Sequence, residues 1–192
     1  MPELDPYATA TVAPVTIEPW SGDDDVVGRA AVGDRDAFTR LVALHHVAMV
    51  RVALVVTADR ALAEDAAQAA WATAWRRLGT VRSGDSVRSW LVAVAANEAR
   101  MIVRTRLRRP TIRLTLVDTS PGQDDPGERI GLLDLERVLL RLDPADRMLL
   151  SLRFVGDLES AEIAHHLGLS ASGVRSRLSR LLLRLRSELD HA

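Results

Sequence analysis

Residues 160 to 180, Ser-Ala-Glu-Ile-Ala-His-His-Leu-Gly-Leu-Ser-Ala-Ser-Gly-Val-Arg-Ser-Arg-Leu-Ser-Arg, leave the backbone few choices. Ile163, Ala164 and Leu167 recur at helical spacing, and Gly168 then ends that helix in the left-handed conformation that glycine adopts at little cost. Ser170 offers a side-chain oxygen to the free amides of a second helix. In that helix Val174, Leu178, Leu181 and Leu185 form one apolar stripe, while Arg175, Ser176, Ser179 and Arg180 point elsewhere. The spacing predicts a helix-turn-helix. Corners of this kind also occur in all-helical proteins that bind nothing. The run Arg175, Arg177, Arg180, Arg184, Arg186, with no acid between Ser170 and Ser187, points to nucleic acid, because phosphate contacts need clustered positive charge.

Net charge alone hides this. The 192 residues sum to −1, but the charges are segregated. The first 25 residues hold Glu3, Asp5, Glu18, Asp23, Asp24 and Asp25 with no base. From Arg88 to Arg113, by contrast, Arg100, Arg104, Arg106, Arg108 and Arg109 face the single acid Glu98. Local field decides what docks. The absence of cysteine excludes disulfides and thiolate metal sites. No apolar run approaches the ~20 residues of a membrane span, and the acidic N-terminus lacks a signal-peptide pattern, so a soluble, cytoplasmic protein without membrane insertion is expected.

Read along the chain, residues 1–24 combine Pro2, Pro6, Pro14 and Pro19 with acids and small residues, a composition that predicts a disordered acidic tail. From 25 to 109 the pattern is helical. Asp24 or Asp25 is expected to cap a first helix, and Asp34 or Asp36 a second that runs through Phe38, Leu41 and His45 to Val56. Asp59 starts a third over 61–78, with Leu62, Ala66, Ala70, Trp71, Ala74 and Trp75 on the core face. A turn-rich loop follows, and Asp85 or Ser86 caps a fourth helix that ends in the arginine cluster before Pro110. Residues 110–130 read as a flexible linker. Over 131–192 a helix at 132–142 precedes Asp143-Pro144, a strong restart signal. The next helix carries Met148, Leu149, Leu152 and Phe154 on its apolar face, is stopped by Gly156, and leads into the helix-turn-helix. The fold class is all-α, as two small helical domains.

The blocks Ala63-Glu-Asp-Ala-Ala-Gln-Ala-Ala-Trp-Ala-Thr-Ala-Trp75 and Ser89-Trp-Leu-Val-Ala-Val-Ala-Ala-Asn97 resemble region 2 of the extracytoplasmic-function (ECF) sigma factors of bacteria. Leu142-Asp-Pro-Ala-Asp-Arg-Met-Leu-Leu-Ser-Leu-Arg-Phe154 with the helix-turn-helix is similar to their region 4. The likeness covers about 26–189, with both blocks in order and suitably separated. It implies an alternative sigma factor that binds core RNA polymerase and directs initiation at promoters with −10 and −35 elements. Glu64, Asp65, Gln68 and Trp75 would dock on the polymerase clamp, acid and amide groups giving orientation and the indole giving buried area. Ser83, Gly84, Asp85 and Ser86 would hold a flipped −10 base, with Asn97, Arg100 and Arg104 on bases or backbone. Ser172, Gly173, Arg175, Ser176, Arg177, Ser179 and Arg180 would read the −35 major groove. The likeness further implies an anti-sigma factor, which in some relatives holds the protein at the membrane until release to polymerase on the nucleoid.

Two features depart from that pattern. Val81 and Val87 stand where relatives often carry aromatics, which puts base stacking during promoter melting in doubt. Gly173 sits early in the recognition helix, where glycine costs ~1 kcal/mol. The adjacent pairs His45-His46 and His165-His166 send their rings about 100° apart on a helix, and no ligand motif accompanies them, so no metal and no cofactor is expected. No nucleophile motif or phosphate-cradling glycine loop is present either, so no catalysis is assigned to this chain. Two other functions fit parts of the same pattern. One is a degenerate sigma-like adaptor that binds polymerase without melting DNA, and the other is a stand-alone helix-turn-helix regulator.

Overall fold

The computed structural model describes residues 23–81, 86–107 and 138–189. The predicted tail, the linker, most of the helix at 132–142 and the loop residues 82–85 lie outside them. Among the described residues every regular element is helical.

Helix α1 (Asp23–Ala31) already includes Asp24 and Asp25, so the acids expected to cap it lie in its first turn. Helix α2 (Arg35–Thr57) is capped by Asp34, whose carboxylate accepts the amides of Asp36 at 2.9 Å and Ala37 at 3.1 Å. Arg29 Nε reaches back to the same carboxylate at 2.8 Å. The Ala37 amide and then the Arg29 guanidinium hold the Asp34 carboxyl below the usual carboxylate range. The valines of α2 do not break it, because Val52 and Val56 are buried and packing outweighs their β preference. Contrary to the sequence reading, α2 is apolar enough to span a membrane by length and composition, with mean hydropathy 1.5. Its apolarity serves a core instead, with Leu41, Met49, Val52, Ala53 and Val56 buried and α2 packed on α3 and α4.

Asp59 caps α3 (Arg60–Arg77) by accepting the Leu62 amide at 3.0 Å. The buried face of α3 is Leu62, Ala63, Ala66, Ala67, Ala70 and Ala74. Trp71 is half-buried and Trp75 is 42% exposed, which corrects the placement of Trp75 in the core. A short 3₁₀ turn (Leu78–Thr80) closes this helix. Ser86 precedes α4 (Val87–Leu107), and its hydroxyl accepts the Ser89 amide at 3.3 Å.

The second half begins with helical residues 138–141. Asp143 then accepts the Ala145 amide at 2.8 Å and starts α5 (Pro144–Phe154), with Pro144 at the first position. Met148, Leu149 and Leu152 are buried as expected, but Phe154 is 59% exposed. Two residues beyond Leu152, it sits about 200° around the helix from the buried stripe. Gly156 is buried, and a Cβ there would lie 2.8 Å from the Leu152 carbonyl oxygen, so this glycine is needed for close approach. The left-handed residue at this corner is Asp157 (φ 59°). Helices α6 (Ser160–Leu167) and α7 (Ala171–Leu189) complete the chain.

The halves are docked. Helix α5 packs on both α2 and α4, and α6 packs on α4. Arg88 Nη1 donates to the Gly156 carbonyl at 2.8 Å, and Ser89 Oγ lies 3.0 Å from His166 Nε2. One buried core runs from Val26 to Leu185.

Three outcomes follow from these corners. Gly156→Ala forces its new methyl against backbone and should lower unfolding stability by about 1–3 kcal/mol in urea titrations. Ala58 ends α2 in the left-handed region at φ 52°, so Ala58→Gly should raise stability by about 1 kcal/mol in the same assay. The Asp34 cap has a lowered native pKa, so its contribution is full above the ordinary carboxylate pKa and is lost as pH falls through the native value. Thermal melts from pH 7 to pH 2 should show that acid-side loss, and Asp34→Asn should flatten it.

Candidate nucleic-acid interface

The corner between α6 and α7 forms as the residues dictate. Gly168 takes φ 65°, and the Leu169 amide donates to the Ala164 carbonyl at 2.9 Å, which satisfies the end of α6. At the other end of α6, the Glu159 amide donates to Glu162 Oε2 at 2.8 Å. Ser170 Oγ accepts the Gly173 amide at 3.0 Å and caps α7. A Cβ on residue 173 would come within 2.8 Å of that hydroxyl, so the glycine leaves room for the cap. Val174, Leu178, Leu181 and Leu185 turn inward and are buried.

The outer face of α7 exposes Ser172, Gly173, Arg175, Ser176, Ser179 and Arg180. Its arginines are not equivalent. Arg177 is half-buried and its Nε donates to Asp146 Oδ1 at 2.6 Å, tying α7 to α5. Arg184 donates to Glu188 at 2.8 Å, and Arg180 Nε donates to the Ser176 carbonyl at 3.3 Å. The exposed Arg175 makes no side-chain ion pair or hydrogen bond among the described residues. Of the predicted groove-facing set, Arg177 is therefore engaged in holding the motif together, while the others stay exposed on the outer face of the helix.

On α3, Glu64, Asp65, Gln68 and Trp75 lie on the side away from the alanine face. Asp65 and Gln68 are exposed, while Glu64 is half-buried. Behind them stands a group the sequence reading missed. The Trp71 indole N–H donates to His46 Nδ1 at 3.2 Å, and His46 Nε2 lies 3.6 Å from Glu64 Oε2. Phe38 meets Trp71 edge-on at 5.5 Å and Trp75 edge-on at 4.8 Å. Phe38 and His46 thus brace the aromatic and acidic residues of α3 from α2. Their i, i+8 spacing, with Val42 between, puts them on one stripe of α2 and was available in the sequence.

On α4, Asn97 and Arg104 are exposed and Arg100 is half-buried. The Nε of Arg100 is fully enclosed and has no hydrogen-bond partner. Trp90, Val94, Asn97 and Arg100 follow one another at helical spacing and border a cavity of about 400 Å³ whose far wall is α5 to α7. Ser86 is exposed and serves α4 as its cap, whereas Ser83, Gly84 and Asp85 lie outside the described residues. Val81 and Val87 are packing residues. Val87 is buried, and Val81 packs on the core from the half-exposed side.

Comparison with known proteins adds to this geometry. The family profile for Sigma-70 region 2 matches residues 41–109, and that for Sigma-70 region 4 matches residues 132–185. The chain is 30% identical over 178 residues to the RNA polymerase sigma factor NccH of Alcaligenes xylosoxydans, covering 88% of this chain and 96% of NccH. It is 29% identical over 163 residues to the ECF RNA polymerase sigma factor SigM of Mycobacterium tuberculosis, covering 85% and 82% of the two chains. A probable RNA polymerase sigma factor, RfaY of Xanthomonas campestris, is 32% identical over 168 residues; 83% of this chain matches only 42% of that longer protein. Among solved structures, CnrH in complex with the cytosolic domain of CnrY superimposes with a TM-score of 0.65 at 26% identity, over 87% of this chain and 96% of CnrH.

The unequal arginines of α7 can be separated experimentally. Arg177→Ala should lower stability by about 1 kcal/mol, since its partly exposed bridge to Asp146 is lost, while Arg175→Ala should leave the thermal melt unchanged.

Proposed function

The chain belongs to the ECF group of bacterial RNA polymerase sigma factors, and from that premise we propose how its residues divide the work. As a sigma factor it binds core RNA polymerase and directs initiation at promoters carrying −10 and −35 elements. It is an initiation factor, and bond making and breaking fall to the polymerase. The observation that carries this reading is the pairing of the two matched regions, in order, on one chain.

Residues 25–109 form the unit for polymerase and the −10 element, and 131–192 the unit for the −35 element, with 110–130 as the connection and 1–24 as an acidic extension. Asp65 and Gln68 give charged and amide hydrogen bonds to polymerase, and the 42% exposed Trp75 gives the apolar area that such an anchor needs. Phe38 holds that indole edge-on, so little side-chain freedom is lost on docking. Glu64 acts at the border of this patch, oriented by His46. On the DNA side, Asn97, Arg100 and Arg104 meet the −10 element, with Ser83, Gly84, Asp85 and Ser86 at the flipped base. The recognition helix offers Ser172, Gly173, Arg175, Ser176, Ser179 and Arg180 to the −35 groove, while Arg177 sets the angle of that helix through Asp146. An anti-sigma factor is the expected regulator, in line with the complex in which the similar CnrH was solved. The protein works in the cytoplasm, on the nucleoid with polymerase, and is held at the membrane where that regulator is anchored there.

Run-off transcription with core polymerase and a library of candidate promoters tests the reading. Transcripts should start only when the protein is added. Arg175→Ala with Arg180→Ala should cut them by about 10- to 100-fold, the loss expected for removing base or phosphate contacts worth ~1–3 kcal/mol. Trp75→Ala should weaken core-polymerase binding by at least ~10-fold with little change in the thermal melt, because the residue is an exposed anchor. Polymerase binding with no new transcripts would instead identify the adaptor that Val81 and Val87 leave open.

A further inference from the structure

The crevice between the two halves has a composition that neither polymerase docking nor −35 reading uses. Its volume is about 400 Å³, within the usual range for small-molecule sites. One wall carries Arg77 from the end of α3 and Asn97 and Arg100 from α4. No acid lines it. Neither Arg77 nor Arg100 has a side-chain ion pair or hydrogen bond among the described residues, and Arg100 Nε is shut away from solvent with no partner. The side chain as a whole is half-buried, so its terminal amino groups are the part of the guanidinium that a ligand can reach, and an acceptor there offsets the cost of the enclosed end. The rest of the lining is mixed: Trp90 and Val94 on one side, Met148 and Leu149 of α5 on the other, with His166 of α6 and with Arg177 of α7, whose guanidinium is held by Asp146.

We propose that this crevice is a binding site for a small organic phosphate, with the anionic groups on Arg77, Arg100 and Asn97 and the ring or sugar against Trp90, Met148 and Leu149. Guanidinium groups suit phosphate because they donate paired hydrogen bonds in one plane. An indole face flanked by aliphatic side chains suits a planar base. Since the ligand touches α4 and α5 together, it binds only when the halves are docked. It therefore stabilises that arrangement and, by linkage, opposes any use of Asn97 and Arg100 on DNA. The site is a property of the free chain and goes beyond its role as a sigma factor.

The test uses the full-length free protein and ATP as the probe, followed by isothermal calorimetry at low and moderate salt. Binding should be saturable with one site per chain, and ATP should raise the melting temperature. Arg77→Ala and Arg100→Ala should each weaken it by about tenfold or more, as expected for lost charge-assisted hydrogen bonds. Arg175→Ala, which removes an exposed arginine outside the crevice, should leave it unchanged, and adenosine and pyrophosphate should each bind at least ~10-fold more weakly than ATP because each engages one half of the site. No saturable binding, equal weakening by Arg175→Ala, or equal affinity for pyrophosphate would each overturn the proposal. A thermal melt of each variant without ligand identifies any that fails to fold, and Arg100→Gln, which keeps a polar side chain of similar length, then replaces it. Protein-dependent transcripts in the run-off assay test the sigma-factor reading on their own, so failure of ATP to bind the free chain leaves that reading standing.

Discussion

The close approach of α2, α3 and α4 sets the frame for every site on this protein. It depends on side-chain size. The inward face of α3 is almost wholly alanine, and α4 adds Ala93, Ala95, Ala96 and Ala99 around Leu91 and Val92. Small residues let helix axes come near one another, and the longer side chains of α2 (Leu41, Met49, Val52, Val56) fill what remains. Each alanine buries little area, so the seam gains from dense contact along its length more than from any one large residue. The consequence for function is positional. With the small faces turned inward, the large and polar residues of the same helices are placed off the seam: Trp75 and Asn97 are exposed, and Trp71, Trp90 and Arg100 are half-buried at its margins.

Much of this could be read from residues alone, where a local rule had a single solution. Asp34, Asp59, Asp143 and Ser170 were predictable as caps, because each is a short acceptor placed before an apolar repeat. Gly168 was predictable as a turn, and the stripe of Val174, Leu178, Leu181 and Leu185 as a buried face. Residue type misleads where it disagrees with position around the helix. Trp75 and Phe154 are large and apolar, and both are exposed, because each lies off the buried stripe of its helix. Gly156 ends a helix, but through lack of space for a side chain, with Asp157 making the left-handed step.

The site was legible in part. The polar character of the outer face of α7 follows from its periodicity, but nothing in spacing separates Arg177 from Arg175. That difference arises from Asp146, thirty-one residues away, and exists only once α5 and α7 are packed. The same holds for the crevice. Arg77, Arg100 and Met148 are far apart in sequence, and only the docking of the halves makes them neighbours. Phe38 and His46 show the intermediate case: their shared stripe was visible, but not that it would meet Trp71 and Glu64.

The bridge from Arg177 to Asp146 also bears on how salt acts on this protein. For most DNA-binding surfaces, added salt is read as a count of phosphate contacts, each contact releasing counterions. Here one arginine of the same helix keeps its charge inside the molecule, 2.6 Å from an Asp146 side chain that is only 17% exposed, in a contact that salt screens little. Added salt therefore leaves the seat of the helix in place. A count of arginines along the helix overstates the charges it can present to phosphate.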